Sequence, residues 1–207
     1  MALTSGGSRL KSFLDGLPIE TEWIAGHHVV WQTGQQDGPA GEGFENHTHC
    51  SAFVAAVALY LDIYVLRPPH HTQELLANSQ MDWFAGNSFP GPTASQSGWR
   101  TLGKAGAPGG VEEAVTAANT GKLVIAGYRQ PPVDGHQRSG HIVLVRPQDP
   151  PSTPAATLVT MAGHRNWREI RVENAFASHP GAWPDKIGFF VRDTDLEPDT
   201  AERAAPG

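Results

Sequence analysis

The chain has 207 residues, 39% hydrophobic and 17% charged, with 23 Gly, 17 Pro and a formal net charge of −6. That length and mixture suit one globular domain rich in ordered loops, and exclude a coiled coil or a disordered chain. The acidic balance argues against a basic face for nucleic acid or anionic lipid. With a single cysteine no intramolecular disulfide can form, and that residue is either a small core hydrophobe or a reactive thiol.

Residues 1–17 are rich in Gly and Ser and contain no apolar run. They do not resemble a secretory signal, so the expectation is synthesis in the cytoplasm without a leader. A short β-like stretch follows at His28–Trp31, and residues 33–45 read as a surface loop. A helix is expected from Cys50, with Phe53, Val54, Val57, Ala58 and Leu61 at helical spacing, Asn46 and Thr48 as N-cap candidates, and Pro68-Pro69 as the stop. The longest apolar stretch, 52–66, is interrupted by Asp62 and is too short to span a bilayer. A second helix is expected over Thr72–Phe84, a loop over 87–98, and a third helix over Gly110–Asn119. Strands are then expected at Lys122–Tyr128, His141–Arg146, Thr157–Met161, Glu169–Val172 and Ile187–Val191. Helices first and an antiparallel meander afterwards predict an α+β fold in one domain, residues 1–195, with an acidic, disordered tail over 196–207.

Cys50 stands at the first turn of the most regular helix, where free backbone amides and the helix dipole favour a thiolate. It precedes the apolar stripe of that helix instead of lying within it, and its neighbours Asn46-His47-Thr48-His49 are polar. His141 opens the apolar strand Ile142-Val143-Leu144-Val145, behind a flexible loop. A histidine there can lean toward a helix end, accept the thiol proton and return it to a leaving amine. Taken singly, each has an ordinary reading: a packing cysteine, and a surface histidine among the 10 of this chain.

The pattern Cys50-x-x-Phe53-Val54, the later Gly121-x-Leu123-Val124 and the run Gly140-His141-Ile142-x-x-Val145 together resemble the papain-like cell-wall amidases of the NlpC and CHAP type. The resemblance spans about half the chain. It implies a papain-like fold, with N-terminal helices packed on an antiparallel sheet, and a thiol-dependent amidase or peptidase with Cys50 and His141 as catalytic residues. Peptidoglycan stem peptides would be the substrate, with no cofactor. For a chain without a leader it further implies export by a signal-independent route as an antibacterial effector, with an immunity protein as partner, or release by lysis. In that family a polar residue on the next strand orients the imidazole. Here Thr160 stands in that strand and His164 and Asn166 lie just beyond it, leaving those three, a backbone carbonyl or a water. Asn46 and His49 are candidates to join the Cys50 amide in an oxyanion hole.

Two further readings stay open: a protein-directed cysteine protease, deamidase or acyl-transferring toxin of the same fold, and a non-catalytic binding module that retains it. His47, His49 and Cys50, beside His27-His28 and His70-His71, offer a metal-cluster reading, but no second cysteine exists and His-x-His is frequent in loops, so no metal is expected. Six tryptophans read mainly as core, while Arg129, Arg138, Arg165 and Arg168 flank the expected cleft.

Overall fold

A computed structural model describes residues 2–38, 47–194 and 196. The chain runs α1 (Ser5–Asp15), α2 (Cys50–Tyr60), α3 (Leu76–Phe84), β1 (Arg100–Lys104), α4 (Gly110–Asn119), β2 (Leu123–Tyr128), β3 (His141–Val145), a 3-10 turn, β4 (Leu158–Met161), β5 (Trp167–Arg171), α5 (Val172–Ala175) and β6 (Gly188–Arg192). The strands form one antiparallel six-stranded sheet in the order β1-β6-β2-β3-β4-β5. The fold is thus mixed, with helices on an antiparallel sheet, as the element pattern predicts. Most of the expected tail, and Asn46, lie outside the described residues; Leu196 is buried.

The helices cover both faces. On one, Leu10 and Leu14 of α1, the whole of α2 from Cys50 to Ala58, and Leu76, Ala77, Met81, Trp83 and Phe84 of α3 close over Ile125, Ile142, Leu144 and Phe190. On the other, Val111, Ala114 and Ala118 of α4 and Val172, Ala175 and Phe176 close over Ala126, Val143, Val145, Val159, Phe189 and Val191. Burial on both sides explains why β2 and β3 are apolar at nearly every position instead of alternating.

Helix α1, strand β1, the 3-10 turn and the short helix α5, which begins at Val172 where a strand was expected to end, were not expected from sequence. Helix α1 has weak intrinsic propensity, but Thr4 caps it through Gly7 N–H, and Leu10 and Leu14 are fully buried. Gly7 lies so close to the end of α4 that a Cβ would approach the Asn119 carbonyl oxygen to 2.1 Å; tertiary packing, not propensity, orders this segment. Strand β1 is largely exposed, an edge strand that pairs with β6 across a register irregularity between Thr101 and Gly103, with Leu102 packed against the core. Of the β-like stretch 28–31 only an isolated bridge, Val29 to Gln36, forms.

Helix α2 stops at Tyr60, well before the prolines. Asp62 adopts a left-handed conformation (φ 55°), and the amides of Asp62 and Ile63 bond back to the carbonyls of Leu59 and Ala58. This is a Schellman termination with aspartate at the position usually held by glycine. Helix α3 starts four residues later than expected because Leu75, at φ 50°, breaks the preceding turn. Helix α4 matches its expected bounds, with Glu112 and Glu113 complementing its N-terminal dipole.

Arg146, just beyond β3, is 1% exposed and ties three layers together. Its guanidinium bonds the Asp15 carboxylate at the end of α1, donates to Thr160 Oγ1 (2.9 Å) and to the Arg168 carbonyl (3.0 Å), and stands 3.4 Å from Glu169. Removing one partner from such a cluster strands the others in a desolvated site. Arg146→Ala is expected to lower unfolding stability by about 3–5 kcal/mol, read by urea denaturation; a loss below about 1 kcal/mol would show the cluster to be solvent-relaxed.

Candidate active site

Cys50 is the first residue of α2, and it is buried, at 1% exposure. His49 occupies the N-cap position and makes no side-chain cap. Its Nε2 instead donates to the His27 carbonyl (2.9 Å), while Gly26 N–H bonds the His47 carbonyl (3.0 Å). These two bonds stitch the turn that carries Cys50 to the N-terminal segment. Thr48, expected as a cap, turns its hydroxyl to the Cys50 sulfur.

The sulfur faces the amide of Ile142 on β3 and the amides of Ser51 and Cys50 at the start of α2. Burial pushes the thiol up to about 11, and the three amides and the Thr48 hydroxyl pull the other way without prevailing. The resting group is therefore a protonated thiol, unlike the thiolate that the helix start alone leads one to expect. His49, 7% exposed, is held below the ordinary imidazole range by burial, against its bond to His27.

His141 opens β3 next to Ile142, 5% exposed. Its register partner is Tyr128, which belongs to the core on the α5 face. Its ring packs edge-on against Phe176 (centroids 5.3 Å) and stacks on His179 (5.8 Å, 21°). Burial, with smaller contributions from His179 and His164, pushes it down to about 3. Nε2 has no hydrogen-bond partner. The structure thus brings sulfur and imidazole to adjacent residues of one strand end, with Cys50 packed on the α2 side beside Ile142 and the ring leaning to the α5 side. No hydrogen bond joins His141 Nε2 to the thiol.

The candidates for an orienting residue have other work. Thr160 donates to the Arg168 carbonyl (2.7 Å) and accepts from Arg146. Asn166 accepts from Gly163 N–H (3.0 Å) and donates to the carbonyls of Ile19 and Glu22 (2.8 and 2.7 Å), stapling the N-terminal segment. His164 is exposed but shares a cavity with His141. The neighbour missed from sequence is His179. Its Nδ1 is 3.2 Å from Gln130 Oε1, an acceptor, so Nδ1 carries the proton and Nε2 is bare in the neutral ring. A loop histidine before Pro180 carries no periodic signal that could have placed it.

The shared cavity, about 450 Å³, is lined by Thr48, His141, His164, His179, Asn174 and Trp167 among others. Trp167, 42% exposed, is at its rim, whereas Trp23 and Trp83 are core. Of the four arginines expected at the cleft, Arg165 lines it. Arg129 is paired with Asp82 (2.6 Å), and Arg168 bonds the Asp15 carbonyl. A second cavity, about 240 Å³, lies on the other side of the Cys50 turn among His27, His28, His47, His49 and Glu74. Among the described residues no group of three or more His, Cys, Asp or Glu side chains is placed to hold a metal ion, and no helix is long and apolar enough to cross a membrane.

The loop between β2 and β3 is clamped by Asn78 of α3. Its Nδ2 donates to the carbonyls of Gln130 (3.3 Å) and Arg138 (2.8 Å), and its Oδ1 accepts from Gln130 N–H (3.0 Å). Gly140 completes the closure: a Cβ there would meet the Tyr128 carbonyl oxygen at 2.2 Å. One buried amide thus holds both ends of the loop that delivers His141.

No family model matches the chain, and no curated protein matches it.

Two predictions follow from the buried polar groups. Asn78→Ala leaves the loop ends without their shared partner and is expected to cost about 2 kcal/mol, with faster amide exchange confined to the 129–140 loop. For His141 the folded value lies below the unfolded 6.5, so the unfolded chain binds the extra proton between about 6.5 and about 3. Stability is full above that window and falls as pH drops through it, by at most about 1.4 kcal/mol per pH unit. His141→Phe is expected to flatten this limb in urea titrations; an unchanged slope would assign it to His49 and His179.

Proposed function

We propose that the chain is a papain-like thiol hydrolase of peptide or amide bonds, with Cys50 as nucleophile and His141 as its base. The observation that carries this reading is the contact of the Cys50 sulfur with the Ile142 amide. It seats the head of α2 on the head of the strand that begins with His141, beside a cavity lined by Thr48 and His141. The amides of Cys50, Ser51 and Ile142 that now face the sulfur would serve a developing oxyanion once a carbonyl carbon is bonded to it.

At rest both groups are neutral, so the imidazole would remove the thiol proton as attack proceeds rather than hold a standing ion pair. That transfer requires a ring nitrogen of His141 to come within hydrogen-bond reach of the sulfur when substrate fills the cavity. Catalytic hydrogen bonds absent from an empty site commonly form only in the substrate complex. The resemblance of Cys50-x-x-Phe53-Val54 and Gly140-His141-Ile142 to the cell-wall amidases makes peptidoglycan stem peptides the first substrate to test.

A second reading, a binding module without turnover, is favoured by the unpartnered His141 Nε2 and the buried, protonated thiol. Release of free amines from purified peptidoglycan and from peptide libraries separates the two. Hydrolysis predicts activity that Cys50→Ala reduces to background and His141→Ala lowers by at least about a hundredfold. Equal release by wild type and Cys50→Ala, with alkylation of Cys50 no faster than a free peptide thiol, would leave the binding module.

A further inference from the structure

Away from the cleft, Ser79 and His71 form a pair that the proposed hydrolase chemistry does not use. Ser79 lies on α3, and His71 lies in the turn before that helix. Ser79 Oγ is 2.8 Å from His71 Nε2, and His71 Nδ1 is 2.8 Å from the carbonyl oxygen of Thr72. A carbonyl oxygen only accepts, so Nδ1 carries the ring proton. In the neutral ring Nε2 is then a bare lone pair, and the Ser79 hydroxyl must donate to it. The ring is further held edge-on against Phe89 (5.8 Å, 67°). By contrast, the hydroxyls of Ser97 and Ser139 donate to carbonyl oxygens, which are not bases at neutral pH. Both Ser79 and His71 are half-buried, so the pair is ordered by packing yet reachable.

We propose that Ser79 is a second nucleophile of this protein, activated by His71 and taking up an acyl or phosphonyl group from an activated donor. The division of roles is that of a hydroxyl, a general base and an orienting acceptor, with the Thr72 carbonyl where a carboxylate often stands. In the step, Ser79 Oγ bonds to the electrophilic carbon or phosphorus as its proton passes to His71 Nε2. The bond to the leaving group breaks, and that group departs with its electron pair. His71 then returns the proton to solvent or to the leaving group. The inferred chemistry is this first half-reaction, which leaves an ester or phosphonate on Ser79.

The test uses the full chain and a fluorophosphonate probe, whose phosphorus takes the serine oxygen as fluoride leaves. Cys50→Ala serves as a parallel background, so the outcome is independent of the thiol. The expected result is a single adduct by intact mass, mapped to Ser79, absent from Ser79→Ala and formed about a hundredfold more slowly by His71→Gln. Labelling spread over several serines, absent at Ser79, or equally fast in His71→Gln overturns the assignment. Should His71→Gln fail to fold, the adduct map of the unaltered chain decides the matter, and an adduct on any serine other than Ser79 overturns it equally.

Discussion

The candidate site depends on one seating: the first turn of α2 pressed against the head of β3, with the Cys50 sulfur on the Ile142 amide. An apolar helix can sit there only because β3 is buried on both faces and offers Ile142 and Leu144 toward it. The same burial that makes the contact dry takes the sulfur out of water. Desolvation of a thiolate then exceeds what the helix start, three amides and a hydroxyl return, and the group stays protonated.

His141 obeys the same constraint from the opposite side. Its ring is packed between Phe176 and His179, where a positive charge finds little solvation and a second imidazole lies in stacking distance. Both members of the expected pair are therefore pushed to neutrality by burial, the thiol upward and the imidazole downward. A neutral pair is compatible with proton transfer during attack but not with a resting ion pair. Access to the sulfur, rather than its acidity alone, is the quantity that distinguishes a hydrolase from a binding module.

The surroundings are organised by polar side chains that hold backbone to backbone. Asn78 grips the loop before β3, Asn166 fastens the N-terminal segment beside Trp23, and Arg146 joins α1 to β4 and β5. Each is committed to carbonyls, amides or carboxylates of the scaffold. This is why the residues that sequence position suggested as partners of His141, Thr160 and Asn166, are otherwise engaged: their polar atoms were already required by buried backbone and by a buried guanidinium.

Local pattern alone determined the apolar strands β2, β3, β4 and β6 to within a residue or two, helix α4 to its ends, the start of α2 at Cys50, and the arrangement of helices on an antiparallel sheet. Those features rest on continuous apolar runs and on turn residues, which act over a few positions. Three-dimensional packing decided the rest. Helix α1 is ordered by the contact of Gly7 with Asn119, and the early end of α2 by the left-handed Asp62. The stacking of His179 on His141, and the meeting of His71 with Ser79, join residues whose spacing carries no period. The protonation of Cys50 was likewise out of reach of sequence, because a helix dipole is written in neighbouring residues whereas desolvation is the sum of everything that surrounds a group in space.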